Sequence, residues 1–217
     1  MSMIYALDLE TCTNPGDGLD PTNPLTRITS AAIFFGPAKG FAGAEGSIVF
    51  DDPSEARLLR SLNDWLSDPA TTPGLIVTWN GANFDIPFLI TRSEMHGVEL
   101  DLQAAICEAR APRYSACKGH VGGYAASWGP HDHADIWPAF QEVAKAAGIK
   151  SGLKPVANYF GYDPIVVDRE KMESLSVPER CAYNISDVEC TYRLALLAEN
   201  LEDYLDSTQQ IDASALV

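Results

Sequence analysis

Four acidic residues and one tyrosine occupy positions where the surrounding sequence is apolar. They are Asp8 and Glu10 near the start, Asp85 in the middle, and Tyr183 and Asp187 near the end. A carboxylate buried without a partner is too costly to keep ionised. Basic residues are sparse around these acids in the sequence, and Arg92 and Arg193 lie about two helical turns from the nearest one. Because carboxylate oxygens suit hard cations, the group predicts a magnesium or manganese site.

The first two acids lie on one face of a predicted strand over residues 3–9. Side chains alternate along a strand, so Asp8 and Glu10 share the face of Ile4 and Ala6. Both faces are largely apolar, which predicts a central strand covered on both sides. Two carboxylates spaced in this way can reach one cation. The motif D-x-E is weak by itself, and a strand that runs out into solvent is the alternative.

Asp85 follows a short buried strand, 75–79, and a turn, 80–83, and it precedes a predicted helix over 86–96. The end of a strand beside the start of a helix is a favoured place for a site in α/β sheets. Asp85 as the N-cap of that helix stays open, because Asp is favoured there and the residue before Pro87 avoids helical geometry.

Tyr183 and Asp187 are four residues apart, so they share a face of the last predicted helix, 178–205. The same stripe continues through Cys190, Leu194, Leu197 and Leu201. Asp187 is therefore predicted to lie in an inward-facing apolar seam and not on a solvated face.

The three motifs occur together in a characteristic order. D-x-E at Asp8, N-x-x-x-F-D from Asn80 to Asp85, and Y-x-x-x-D at Tyr183 resemble the motifs of the DEDD 3′–5′ exonuclease superfamily, tyrosine branch. The chain is most similar to the proofreading exonuclease domains of family B DNA polymerases, from about residue 3 to 205. The histidine branch is disfavoured because position 182 is Ala182.

Strands that alternate with helices predict an α/β domain, and consecutive strands at the start predict a mixed sheet. The resemblance implies a ribonuclease H-like fold, with about five strands flanked by helices on both faces. We expect a single exonuclease domain over 1–205 and a C-terminal tail over 206–217.

The resemblance also implies an enzyme that uses two Mg²⁺ or Mn²⁺ ions. It would hydrolyse the terminal phosphodiester at the 3′ end of DNA or RNA and release nucleoside 5′-monophosphates. Asp8, Glu10 and Asp187 would hold the first ion. Asp8 would hold the second, with Asp85 acting through waters. Tyr183 would position the attacking water.

Five further residues are candidate substrate contacts. Leu9 and Phe84 could pack against the terminal bases, although a structural role is the alternative for apolar neighbours of a core. Thr11 and Asn80 could bond the terminal nucleotide, or Asn80 could serve the turn. Lys154 flanks a helix start where an anion could bind, and a solvated lysine is the alternative.

Residues 107–133 combine basic residues, histidines and aromatics between glycines, which predicts a loop or insertion beside the substrate. A zinc site is the alternative, although the spacing matches no common closed site. Its candidate ligands are Cys107, Cys117, His120, His131 and His133. Asp135 could support the metal site or be an ordinary acid at a strand end, and the sequence does not decide between these.

The whole chain has 217 residues, a net charge of −15 and five scattered cysteines. The cysteines predict reduced thiols and a cytoplasmic protein, and the sequence shows neither a membrane-spanning run nor a secretory signal. The negative charge disfavours a protein that coats nucleic acid, but cations at a nuclease site invert the local charge.

Two alternative functions stay open. One is a non-catalytic module that binds nucleic acid or protein, and the other is an endonuclease on the same fold. The oligomeric state stays open, a homodimer included.

Overall fold

The computed structural model describes residues 2–12, 19–106, 123–167 and 175–198. The strands are β1 (Met3–Cys12), β2 (Arg27–Pro37), β3 (Gly46–Phe50), β4 (Leu75–Thr78), β5 (Leu102–Ile106), β6 (Tyr124–Trp128) and β7 (His131–Asp135). The helices are α1 (Glu55–Leu66), α2 (Asp85–His96), α3 (Trp137–Ala147), α4 (Leu153–Tyr159) and α5 (Val177–Ala195).

All these strands form one mixed sheet in the order β3-β2-β1-β4-β7-β6-β5. Strand β1 is antiparallel to β2 and parallel to β4, and β4 is parallel to β7. The carboxyl ends of β1, β4 and β7 therefore meet at one edge, where α/β sheets place their sites. The predicted α/β class and mixed sheet are confirmed. The sheet is larger than the predicted five strands, because β5 and β6 extend it beyond β7.

Helices cover both faces of the sheet. Ile4 and Ala6 of β1 pack with residues of α3, α4 and α5, whereas Tyr5, Leu7 and Leu9 pack with residues of α1 and α2. The alternation predicted for β1 is thus confirmed. Asp8 and Glu10 continue the face that α5 covers.

Two predicted segments differ from the structure. Within the predicted loop or insertion 107–133, residues 124–128 form β6 and residues 131–133 begin β7. They are strands because β6 pairs with β5 and β7, β7 pairs with β4, and Trp128 is buried with its ring N–H donating to Asn63. Residues 107–122 lie outside the described residues. Helix α5 ends at Ala195, and residues 199–217, which include Leu201 and the predicted tail, also lie outside them.

A buried ion pair ties α1 to α2. The guanidinium of Arg92 donates to both carboxylate oxygens of Glu55, at 2.9 and 2.6 Å, and to the carbonyls of Pro21 and Asn23 at 3.1 and 3.2 Å. Arg92, a basic residue close in sequence to Asp85, therefore serves the fold and pairs with a different acid. Within the described part of the chain, no helix is both long and apolar enough to cross a membrane.

Candidate metal centre

Three of the predicted ligands converge where β1 approaches α5. Asp8, Glu10 and Asp187 each offer one carboxylate oxygen, and these oxygens lie within 4.8 Å of one another. Asp187 is buried on α5, and the two acids of β1 are partly buried. A set made only of carboxylate oxygens fits Mg²⁺ or Mn²⁺. The structure therefore brings these three predicted ligands together, and their role as metal ligands stays a prediction.

Asp85 begins α2 with its side chain 2% exposed, and the preceding Phe84 is the N-cap residue, without a side-chain hydrogen bond. The carboxylate of Asp85 accepts the backbone N–H of Leu9 at 3.1 Å. Leu9 lies between Asp8 and Glu10, so this bond fixes the start of α2 against the acidic end of β1. The alternative of Asp85 as an N-cap is therefore not what the structure shows.

The electrostatics of the cluster favour a cation. Burial, followed by the charges of Asp85, Glu10 and Asp187, raises the pKa of Asp8 well above its usual range, while Lys154 acts in the opposite direction. Burial and the neighbouring carboxylate of Asp135 raise the pKa of Asp85 to about 7, although the N–H groups of Asp85 and Leu9 lower it. Divalent cations would offset both the desolvation and the mutual repulsion of these acids.

Lys154 lies inside this cluster. Its ammonium is 2.7 Å from Oδ1 of Asp187, donates to the carbonyl of Ile165, and lies 3.9 Å from the centroid of the Tyr183 ring. The alternative of a solvated surface lysine is thus not what the structure shows. The anion site expected at the start of α4 would have only a short helix of seven residues behind it. The positive charge at the site therefore comes from the side chain of Lys154.

Tyr183 and Asp187 are both buried on the inner face of α5, as the spacing predicts. The seam continues through the buried Cys190 and Leu194 and stops at Leu197, which is 43% exposed. It stops there because α5 ends at Ala195. The tyrosine is therefore placed one turn from a candidate metal ligand by the helix itself.

The predicted base contacts occupy different environments. Leu9 is 4% exposed and packs in the core with α1 and α2, which supports its structural alternative. Its visible contribution to the site is the backbone N–H that bonds Asp85. Phe84 is partly buried, with its ring centroid 4.9 Å from that of Phe88.

The predicted polar contacts lie at irregular backbone. The β1–β2 register shifts between Glu10 and Thr11, which leaves Thr11 partly buried just beyond the acids. Asn80 has a left-handed backbone with φ 65°, and its Oδ1 accepts a hydrogen bond from Asn83 at 2.9 Å. Asn80 therefore stabilises the turn through its side-chain oxygen. A contact with a substrate would use its side-chain NH₂.

The zinc alternative gains no support from the described histidines. Nδ1 of His131 accepts the N–H of Gly74 at 3.2 Å, and its Nε2 lies 3.0 Å from the carbonyl of Leu66. Nε2 of His133 lies 2.9 Å from Oγ1 of Thr78. The other proposed zinc ligands, 107, 117 and 120, lie outside the described residues.

The chain matches the family model of the exonuclease domain of DNA polymerase family B over residues 4–124, which is more than half of its length. The chain belongs to this family. The resemblance drawn from the three motifs is thereby confirmed. The matched range of the family B exonuclease domain holds Asp8, Glu10 and Asp85, and Tyr183 and Asp187 lie beyond it.

The chain is also similar to catalytic subunits of DNA polymerase epsilon. The catalytic subunit of DNA polymerase epsilon from Schizosaccharomyces pombe is 29% identical over 151 residues, which is 68% of this chain and 6% of that protein. One of the DNA polymerase epsilon catalytic subunits of Arabidopsis thaliana is 30% identical over 146 residues, 65% of this chain and 6% of that protein. The chain therefore spans about 6% of the length of the curated relatives that it matches.

A solved structure shares the fold. The family B DNA polymerase of Pyrobaculum calidifontis superposes with a TM-score of 0.60 and 21% identity, over 90% of this chain and 24% of that one. At this identity the likeness establishes the fold alone. Together with the seven-stranded mixed sheet, it supports the ribonuclease H-like arrangement expected from the sequence.

Proposed function

We propose that this protein is a metal-dependent 3′–5′ exonuclease that hydrolyses the terminal phosphodiester of a nucleic acid and releases nucleoside 5′-monophosphates. The observation that carries the proposal is the meeting of Asp8, Glu10 and Asp187 within 4.8 Å, in a chain of the family B exonuclease-domain family. Asp85 adjoins this group through its hydrogen bond to β1.

The donor set decides which metal suits the site. Asp8, Glu10 and Asp187 would hold one Mg²⁺ or Mn²⁺, and Asp8 would hold a second, with Asp85 acting through waters. Two such ions supply an activated water and stabilise the leaving oxygen of an in-line displacement. Carboxylate oxygens without thiolate or imidazole ligands favour these hard cations over zinc.

Two other side chains of the site would orient the reactants. The hydroxyl of Tyr183 would hold the attacking water by a hydrogen bond. The ammonium of Lys154, which bonds Asp187 here, would face a phosphate oxygen of the substrate once a cation neutralises that carboxylate. Lys154 would therefore pair with Asp187 before metal binding and with the substrate phosphate after it.

The substrate class follows from the same site. A net charge of −15 opposes tight binding of long nucleic acids through the protein surface alone. Phe84, Thr11 and Asn80 would contact the terminal nucleotide at the mouth of the site, and Leu9 would support it from the core. We therefore propose 3′ ends of DNA or RNA as the substrate, held mainly at the metal centre.

Linear and circular single-stranded DNA of one sequence test the proposal with Mg²⁺ or Mn²⁺ present. We expect the linear strand to be consumed and the circle to stay intact, with Asp8→Asn inactive on both. Cleavage of the circle would support the endonuclease alternative. Binding without cleavage of either strand would support the non-catalytic module. Matched RNA and duplex DNA in parallel reactions identify the preferred substrate.

A further inference from the structure

Asp135 is a buried carboxylate at the last position of β7, beside β4, and the proposed mechanism gives it no part. It is 1% exposed. Its Oδ1 accepts the backbone N–H groups of Asn80 at 2.8 Å and Trp137 at 3.0 Å, and its Oδ2 accepts that of Ala82 at 3.2 Å. One side chain therefore binds the turn after β4 and the start of α3 together.

The turn that Asp135 holds is a constrained one. Asn80 has φ 65°, a left-handed conformation that costs roughly 1 kcal/mol or more for a residue other than glycine. A Cβ at Gly81 would lie 2.3 Å from Oγ1 of Thr78, so the neighbouring position accepts only glycine without a shift. Backbone N–H groups of such turns form a concave anion site, and the carboxylate of Asp135 fills it.

The far end of the same turn carries Asp85. The N–H of Ile86 donates to the carbonyl of Gly81 at 2.9 Å, so the start of α2 is built directly on the turn. Asp85 then accepts the N–H of Leu9 on β1. A continuous set of hydrogen bonds therefore leads from Asp135, through the turn, to Asp85 and the acidic end of β1.

We propose that Asp135 is a positioning residue, which fixes the distance of Asp85 from Asp8 and thereby the affinity of the second cation. This inference rests on the proposed function, since it gives Asp85 the role of holding that cation. Asp135 acts through the turn and is not itself a ligand, because three backbone N–H groups already take three of the roughly four acceptor directions of its carboxylate.

Glu55 on α1 provides a matched control, because it also contacts α2, but at Arg92 and not at the start of the helix. It is also a buried carboxylate that accepts a backbone N–H, from Ile28 at 2.8 Å, and its other partners include Arg92. Glu55→Gln perturbs a buried hydrogen-bonded acid without touching the turn. A loss of stability alone would therefore affect the Glu55 and Asp135 variants alike.

Binding of Mn²⁺ alone, measured by electron paramagnetic resonance without nucleic acid, tests the role. We expect Asp85→Asn and Asp135→Asn to weaken the same class of Mn²⁺ site, with about a 10-fold loss of affinity for Asp135→Asn. Glu55→Gln should bind Mn²⁺ as the wild type does. Asp135→Glu keeps the negative charge beside Asp85 and moves only the carboxylate, so its loss of affinity in the same direction separates position from charge. It also serves if Asp135→Asn does not fold.

Activity gives a second readout. Asp135→Asn should need about 10-fold more Mn²⁺ for its half-maximal rate and should recover kcat at high Mn²⁺, whereas Asp85→Asn should not recover. Wild-type Mn²⁺ binding by folded Asp135→Asn and Asp135→Glu would overturn the inference, as would Mn²⁺ binding that does not depend on Asp85. If the wild type shows the expected Mn²⁺ pattern and hydrolyses no nucleic acid, the proposed function fails and the positioning role stands.

Discussion

The ammonium of Lys154 and the carboxylate of Asp187 are joined by a 2.7 Å hydrogen bond across 33 residues of sequence. The same carboxylate contributes to the three-acid cluster. A divalent cation at the proposed site would therefore compete with Lys154 for Asp187. This competition makes metal binding and turnover respond in opposite directions to a change at Lys154.

Lys154→Met should bind Mn²⁺ more tightly than the wild type, because a competing positive charge is removed. Its turnover should fall by about 10- to 100-fold, because the substrate phosphate loses a charged donor. Titration calorimetry with Mn²⁺ and a single-turnover digestion measure the two effects. Lys154→Arg should keep part of the activity, and Lys150→Met, at an exposed position, should change neither quantity. Weaker Mn²⁺ binding by Lys154→Met would contradict the competition.

Asp8→Asn should change stability in opposite directions with and without metal. In EDTA the variant should melt higher by about 2–4 °C, since it removes a partly buried charge that faces three other acids. In saturating Mn²⁺ the wild type should gain stability and the variant much less, because ligand binding to the folded state stabilises it. Scanning fluorimetry with Asp101→Asn, at an exposed acid, provides the control. Equal Mn²⁺ gains in all three proteins would argue against a site at Asp8.

Tyr183→Phe should lower kcat by about 10- to 100-fold and leave KM and Mn²⁺ affinity within about twofold, because it removes only the hydroxyl, which we propose orients the attacking water. The ring, which lies 3.9 Å from the ammonium of Lys154, is kept. Steady-state kinetics and Mn²⁺ binding separate these quantities. An unchanged kcat would remove the tyrosine from the mechanism.

His131 should make stability depend on pH. Burial lowers the pKa of His131, while the Leu66 carbonyl, Asp132 and the Gly74 contact act in the opposite direction. The unfolded chain therefore binds more protons between the folded pKa and the ordinary value of about 6.5, so stability is lost as the pH falls through that window. Urea unfolding at several pH values should show a smaller loss for His131→Gln. Parallel curves for the two proteins would contradict this assignment.

The sequence predicted those parts of the site that depend on local periodicity. The shared face of Asp8 and Glu10 follows from the two-residue period of a strand, and the buried Tyr183 and Asp187 follow from helical spacing. Pairing across long separations was not predictable. Asp135 binds the turn at Asn80 because the sheet order places β7 beside β4. Lys154 meets Asp187 because α4 packs beside α5.

The size of the sheet was underestimated for a related reason. Strands β5 and β6 are five residues each and are separated along the chain by residues 107–122. Their residues show little of the apolar alternation that marks a strand, and they pair with each other across that separation. Leu9 was a candidate base contact with a structural role as the alternative, and the two-residue period of β1 places it in the core on the α1 and α2 side.

A time course on a single strand labelled at its 5′ end tests the central claim most directly. With Mg²⁺ or Mn²⁺, we predict a ladder that shortens by one nucleotide at a time from the 3′ end, nucleoside 5′-monophosphates as the product, and no shortening by Asp8→Asn. Immediate release of the label as a mononucleotide, internal cuts, or an Asp8→Asn variant as active as the wild type would contradict the assignment of a 3′–5′ exonuclease to this metal centre.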